Sequence, residues 1–216
     1  MGATHRAAVL PAPGQPLSTQ EVTTRHPGPN EVLIHNHAIA IQPLDAKMLI
    51  SNYGPASSLD YPAVLGSSGA GTIEEVGEGV SKLKIGDRVV FDTKAYVDSK
   101  ANFQQGTWQQ LVICGADTVA KVKSSSFTRH DYQINVFQID DTPFEQAVLT
   151  NFPLQTAVAA LHVFLGMSKS SSTPNPALAG EKVLIWGAGG AVGQYAVQYA
   201  AQVSPFPFIL QLEDTG

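Results

Sequence analysis

The sequence contains one cysteine, Cys114, in 216 residues. That excludes an internal disulfide framework and a structural zinc site built from four thiolates of this chain. Charge is also scarce. Asp, Glu, Lys and Arg make up 14% of the chain, against roughly 25% in an average soluble domain. The 13 Lys+Arg are outnumbered by 18 Asp+Glu, for a formal net charge of −5, so there is no basic footprint for nucleic acid. No unbroken apolar run reaches the ~18 residues of a membrane helix. Met1–Arg6 lacks the apolar stretch of a secretory signal. The expectation is a soluble, cytoplasmic protein with neither nucleic acid nor membrane as partner. Apolar residues reach 44%, which argues against disorder and supplies material for a packed core.

The residues that are present fall into two parts. Up to about Lys121 the chain reads as short strands separated by turn signals: Arg6–Leu10, Glu31–Ala38, Gly71–Gly77, Arg88–Phe91 and Trp108–Ile113. This pattern suggests a small barrel or sandwich. Near Thr142 the character changes. Phe144–Leu149 and Thr156–Leu161 read as helices, with Thr142 as cap and Pro143 in the first turn. Gly166–Pro176 is rich in Ser and Pro and reads as a surface loop. An apolar strand, Glu181–Trp186, then runs directly into Gly187-Ala188-Gly189-Gly190-Ala191-Val192-Gly193. A helix follows, with Val192, Tyr195, Ala196, Tyr199 and Ala200 on one face.

Strand, glycine turn and helix together open a dinucleotide-binding unit. Glycines let backbone N–H groups approach a pyrophosphate, and the helix N-terminus adds its positive end. The spacing Gly187-x-x-Gly190-x-x-Gly193 departs from a strict G-x-G-x-x-G, and similar turns also occur without ligands. A supporting acid is expected about 20 residues on. Phe208–Leu212 could form the second strand, ending at Glu213 and Asp214, but Pro205 and Pro207 at its entry argue against a central parallel strand.

Further blocks lie in series with the turn. They are Pro29–Ile34, Gln42–Lys47, Pro62–Gly66, Gly69–Gly77, Val80, Lys84, Gly86–Val89 and Gly106–Val112. In order and spacing they resemble the medium-chain dehydrogenase/reductase superfamily, and within it the zinc-independent quinone oxidoreductases and fungal enoyl reductase-like proteins. The resemblance implies a β-rich GroES-like barrel domain over residues 1–150. An incomplete α/β Rossmann domain begins at 151–202, and 203–216 is an atypical tail. It also implies catalysis in the cleft between the two domains.

Zinc-binding members carry Cys where this chain has Gln42, His where it has Ser67, and a third ligand near Phe152; none of these three residues replaces a thiolate or imidazole. The resemblance therefore implies no metal. His35 and His37, two apart on one strand, read as strand histidines. Cys114, closing an apolar strand, reads as a buried structural thiol.

Without metal, hydride transfer to an enone or quinone needs hydrogen bonds on the carbonyl and a proton source for the enolate. By resemblance, Lys47 and Tyr53 are the catalytic candidates and Thr156 contacts the nicotinamide side of the cofactor. Gly187, Gly189, Gly190, Ala191, Val192 and Gly193 hold the dinucleotide. NADPH is expected, with NADH open, and a small molecule is the expected substrate; relatives are often homo-oligomers. A solvated Lys, a packed loop aromatic and a helix-start Thr are the plain alternatives for Lys47, Tyr53 and Thr156. The alternative for the whole chain is a non-catalytic truncated fragment or partner subunit.

Two stretches depart from the pattern. Residues Val122–Gln138 are extra, and the resemblance stops at Val203. Both are read as introns retained in a gene model, because Val203-Ser204 can be encoded by a splice-donor sequence and Phe137-Gln138 by an acceptor-like end. The plain alternative is an added surface loop and a short tail.

Overall fold

The computed structural model describes residues 2–121, 142–166, 183–203 and 208–211, in two compact units, Met1–Leu149 and Thr150–Gly216. The extra stretch 122–138, most of the Ser/Pro-rich loop, and Glu213 and Asp214 lie outside the described residues.

The first unit is built on antiparallel strands: β1 (Thr4–Leu10), β2 (Ser18–Thr23), β3 (Glu31–Ile39), β4 (Ala63–Val64), β5 (Ser68–Val76), β6 (Arg88–Asp92), β7 (Leu111–Gly115) and β8 (Val119–Lys121). One sheet has the order β7-β3-β5-β6-β8 and the other β2-β1-β4. Backbone bonds join them, from Ala8 N–H to Trp108 O at 2.9 Å and from Gln110 N–H to Arg6 O at 3.0 Å. The expected strand at Trp108 therefore starts at Leu111, because the residues before it bridge to β1 instead.

β-branched and aromatic side chains fill the interior: Val32, Ile34, Ile73, Val89, Phe91 and Val112 form one cluster with Cys114. Each large side chain buried this completely contributes ~1.5–3 kcal/mol. A second cluster gathers Leu10, Met48, Ala56, Leu59 and Leu65 under helix α1 (Pro43–Ser51).

Helices α2 (Asn102–Gln105) and α3 (Phe144–Ala147) are short. Thr142 does not cap α3. The N-cap is Pro143, with no side-chain cap bond, and the Thr142 carbonyl accepts from Arg88 Nη2 at 2.9 Å.

The second unit contains α4 (Asn151–Ala159), a π-helical turn (Ala160–Phe164), β9 (Val183–Trp186), α5 (Ala191–Val203) and β10 (Phe208–Gln211). Contrary to the expectation from Pro205 and Pro207, β10 pairs in parallel with β9, Phe208 opposite Val183. Both prolines precede the strand, so neither removes a ladder donor. Ala157, Leu161, Ile185, Ala188, Ala196 and Ala200 form the core of this unit. Val192, expected on one face of α5 with Tyr195, Ala196, Tyr199 and Ala200, is 37% exposed and lies outside the cluster that the other four join.

One described stretch, the 21 residues Phe144–Phe164, is long and apolar enough by length and composition to cross a membrane: its most apolar 18-residue window has a mean hydropathy of 1.3 and is one third buried. The search for an unbroken run misses it because Glu145, Asn151 and Gln155 interrupt it while Ala, Val, Leu and Phe keep the average high. A turn at Val148–Thr150 breaks it into α3 and α4, and the core helix of a soluble protein passes the same test.

Candidate functional site

Helix α1 carries the first candidate group. Pro43 sits in its first turn, where a missing N–H costs nothing. Asp45 lies three residues beyond the N-cap Gln42, and its Oδ2 accepts the Gln42 backbone N–H at 2.7 Å. Asp45 is fully buried. Its other oxygen, Oδ1, accepts a short hydrogen bond from the phenol of Tyr96. The Tyr96 oxygen in turn accepts the Gly66 backbone N–H at 2.5 Å. Burial first, then the charge and the hydrogen bond of Asp45, push the Tyr96 phenol far above its ordinary range, so it stays a donor.

Gly66 is required at its position. It has φ +90°, and a Cβ there would stand 2.3 Å from Thr107 Oγ1 and 2.4 Å from Trp108 Cδ1.

Lys47 and Tyr53 are brought together. Lys47 is exposed on α1, and its Nζ lies 5.7 Å from the centroid of the Tyr53 ring. Asn52, in the left-handed region at φ 51°, ends the helix between them, its N–H bonding Met48 O. Tyr53 is 58% exposed, and the apolar side chains of Ile41 and Ile50 are exposed near it in sequence.

The glycine turn and Thr156 belong to the second unit. Gly187 has φ +74°, and the Gly190 N–H closes the turn onto Gly187 O at 3.0 Å. A Cβ on Gly193 would stand 2.1 Å from Gly187 O, so this glycine lets helix and turn pack. Gly189 and Gly190 differ: among the described residues a Cβ on Gly189 meets nothing within 4 Å, and one on Gly190 meets only Gly187 O at 3.4 Å. Packing does not demand glycine at these two positions. The space they leave lies beside the first turn of a 13-residue helix, whose leading N–H groups have no partner within the helix. Ala191, Val192 and Gly193 make up that turn. The residues present therefore fit a dinucleotide pyrophosphate.

Thr156 lies on α4, exposed, and its hydroxyl donates to Phe152 O at 2.9 Å. Its neighbour Ala157 packs in the same cluster as Ala188 of the turn.

Among the described residues no three His, Cys, Asp or Glu side chains converge as a metal site. His35 and His37 have ring centroids 4.8 Å apart. His35 Nδ1 lies 3.4 Å from Glu74 Oε1, His37 Nε2 lies 3.3 Å from Thr72 Oγ1, and the His37 ring stacks on Phe144 at 4.6 Å. Burial, then the nearby His35 and Arg88 charges, lower the His37 pKa. Cys114 is fully buried, and burial pushes its thiol up to about 12.

Sequence reasoning missed the Asp45–Tyr96–Gly66 chain. Gln42-Pro43-Leu44-Asp45 is a legible capping pattern, but nothing in the sequence points Asp45 at a tyrosine 51 positions away.

The two antiparallel sheets, closed on each other around an apolar core, define a GroES-like barrel. Residues 28–124 match the alcohol dehydrogenase GroES-like domain. Beyond that domain, the chain is similar to proteins of the medium-chain dehydrogenase/reductase superfamily. Trans-enoyl reductase tndF of Aspergillus flavipes is 32% identical over 201 residues, 93% of this chain and 52% of that protein. Trans-enoyl reductase tazE of Aspergillus terreus is 31% identical over 204 residues, 93% of this chain and 60% of that protein. An alcohol dehydrogenase superfamily protein from Novosphingobium aromaticivorans matches with TM-score 0.75 at 25% identity, over 98% of this chain and 54% of that one. Escherichia coli quinone oxidoreductase, solved in complex with NADPH, shares the fold with TM-score 0.63 at 23% identity, over 99% of this chain and 53% of that one. The chain spans about half the length of the curated relatives it matches.

Proposed function

We propose that the chain carries the barrel and the dinucleotide turn of a zinc-independent oxidoreductase that reduces an activated C=C or carbonyl of a small molecule at the expense of NADPH. The observation that carries this reading is the pair Gly189 and Gly190. Among the described residues they are glycines without a packing reason, beside the N-terminus of α5 and after β9, which pairs in parallel with β10. The two relatives described above are named trans-enoyl reductases, and one solved structure of the same fold is a complex with NADPH. Zinc independence rests on the donor set: Gln42, Ser67 and Phe152 offer neither thiolate nor imidazole.

Gly187–Gly193 would hold the cofactor, with Thr156 toward its nicotinamide side, and the group would supply hydride. The remaining roles belong to side chains of the barrel. The Lys47 ammonium, exposed on α1, donates a hydrogen bond to the substrate carbonyl oxygen. That interaction strengthens as negative charge develops there. Lys47 then holds the proton that the enolate takes up. The Tyr53 ring, 5.7 Å from Nζ, lies over the cation and screens one side of it from water.

The experiment is NADPH consumption with a panel of enones, quinones and enoyl thioesters, wild type against Lys47→Met and Gly190→Val. Lys47→Met is expected to lower turnover ~10²-fold, the low end of an acid–base contribution. Gly190→Val is expected to abolish turnover. Wild-type rates in both variants would overturn the reading. No consumption by the wild type on any of the panel would favour a non-catalytic partner subunit.

A further inference from the structure

We propose that Tyr96 is the positioning residue of the α1 site: acting through Asp45, it fixes the helical turn that presents Lys47 to Tyr53. The argument starts from what holds α1 in place. Only Asp45 and Met48 of the helix are buried. Met48 sits in an apolar cluster, which fixes depth but is non-directional. Among the described residues, the side-chain hydrogen bonds that tie the first turn to its surroundings meet at Asp45. One oxygen takes the Gln42 N–H and holds the helix start. The other takes the Tyr96 phenol, whose oxygen is bound by the Gly66 N–H. Gly66 is itself tied to the barrel, its carbonyl accepting the Thr107 N–H at 3.0 Å, and it lies so close to Thr107 and Trp108 that no side chain would fit there. Tyr96 is thus the hydrogen-bonded link from the barrel wall to the first turn of α1. Lys47 lies two residues beyond Asp45, so a rotation of the turn about its axis moves Nζ away from the Tyr53 ring.

Removing the phenol oxygen leaves a buried carboxylate oxygen and a backbone N–H each short of a partner. The fold can relieve both only by letting α1 turn toward water. The catalytic meaning of this rests on the role proposed for Lys47, but the geometry does not.

The test uses the full chain, reductively methylated with 13C-formaldehyde. The methyl signal of Lys47 is identified by its loss in Lys47→Arg. In the wild type, the Tyr53 ring current is expected to displace this signal upfield of its position in Tyr53→Leu. In Tyr96→Phe the displacement is expected to vanish. Asp45→Asn, which removes the charge that Tyr96 binds, should lose it as well and serves if Tyr96→Phe fails to fold. Val112→Ala, which destabilises the barrel through its core, should keep the wild-type signal; a merely structural role for Tyr96 would make these variants behave alike. The proposal is overturned if Tyr96→Phe keeps the displacement, if Val112→Ala loses it too, or if the wild type shows none. Should Lys47→Met keep full turnover while the signal behaves as expected, the catalytic role of Lys47 fails and the positioning by Tyr96 stands.

Discussion

Asp92 illustrates how a single buried group sets a pH dependence. It is 9% exposed, its Oδ1 accepts the Ser68 hydroxyl at 2.5 Å, and among the described residues its Oδ2 has no partner. Burial raises its pKa from 3.8 to about 6, against the smaller downward pull of Ser68. Folding therefore favours the protonated form. This contribution is fully present below pH 3.8 and is lost as pH rises through about 6. Above that range the buried charge costs about 3 kcal/mol, from the width of the shift. Asp92→Asn is expected to raise the urea midpoint at pH 7.5 and leave it nearly unchanged at pH 3.5; a lower midpoint at pH 7.5 would refute the assignment. Cys114 makes the complementary case. With its thiol pushed up to about 12, iodoacetamide at pH 8 should label it only in urea. Its burial was legible, since it closes the run Leu111-Val112-Ile113. That of Asp92 was not, because an acid ending the run Val89-Val90-Phe91 reads as a solvent-facing strand end.

Among the elements, the glycine turn separates two kinds of glycine that look alike in sequence. Gly193 is held by packing, its absent Cβ 2.1 Å from Gly187 O, whereas Gly190 has room for a side chain. Gly193→Ala should lower the melting temperature markedly, and Gly190→Val should leave melting and far-UV circular dichroism near wild type while removing dinucleotide affinity. A matching loss of stability in Gly190→Val would mean that both glycines are structural. The strand, the turn and the start of α5 follow from local pattern, because Val183–Trp186 and Ala191 onward change period at the glycines. Helix α1 escaped because its stability is not local. Its apolar stripe is short, Leu44, Met48 and Leu49, and Asp45 is stabilised from Tyr96, far along the chain. The same applies to Val192, which fits the helical period but lies where the core of the unit does not reach.

For the molecule as a whole, sequence order places a change of character near residue 142, and the two compact units divide between Leu149 and Thr150. It did not reveal that Arg88 and His37 both contact Phe144, with the Arg88 Cζ 3.8 Å from that ring. Such a contact joins residues distant in sequence and has no period. Elemental analysis of the purified protein should find no stoichiometric zinc; one tightly bound zinc per chain would show that donors other than Gln42, Ser67 and Phe152 complete a site. The central claim is that residues 187–193 seat a nicotinamide dinucleotide, and it is tested most directly by titrating NADPH into the 15N-labelled protein. The account predicts that amide resonances of Gly189–Gly193 shift progressively in the wild type and stay fixed in Gly190→Val. Resonances of that turn that remain unmoved at millimolar NADPH, or that move equally in both proteins, would contradict it.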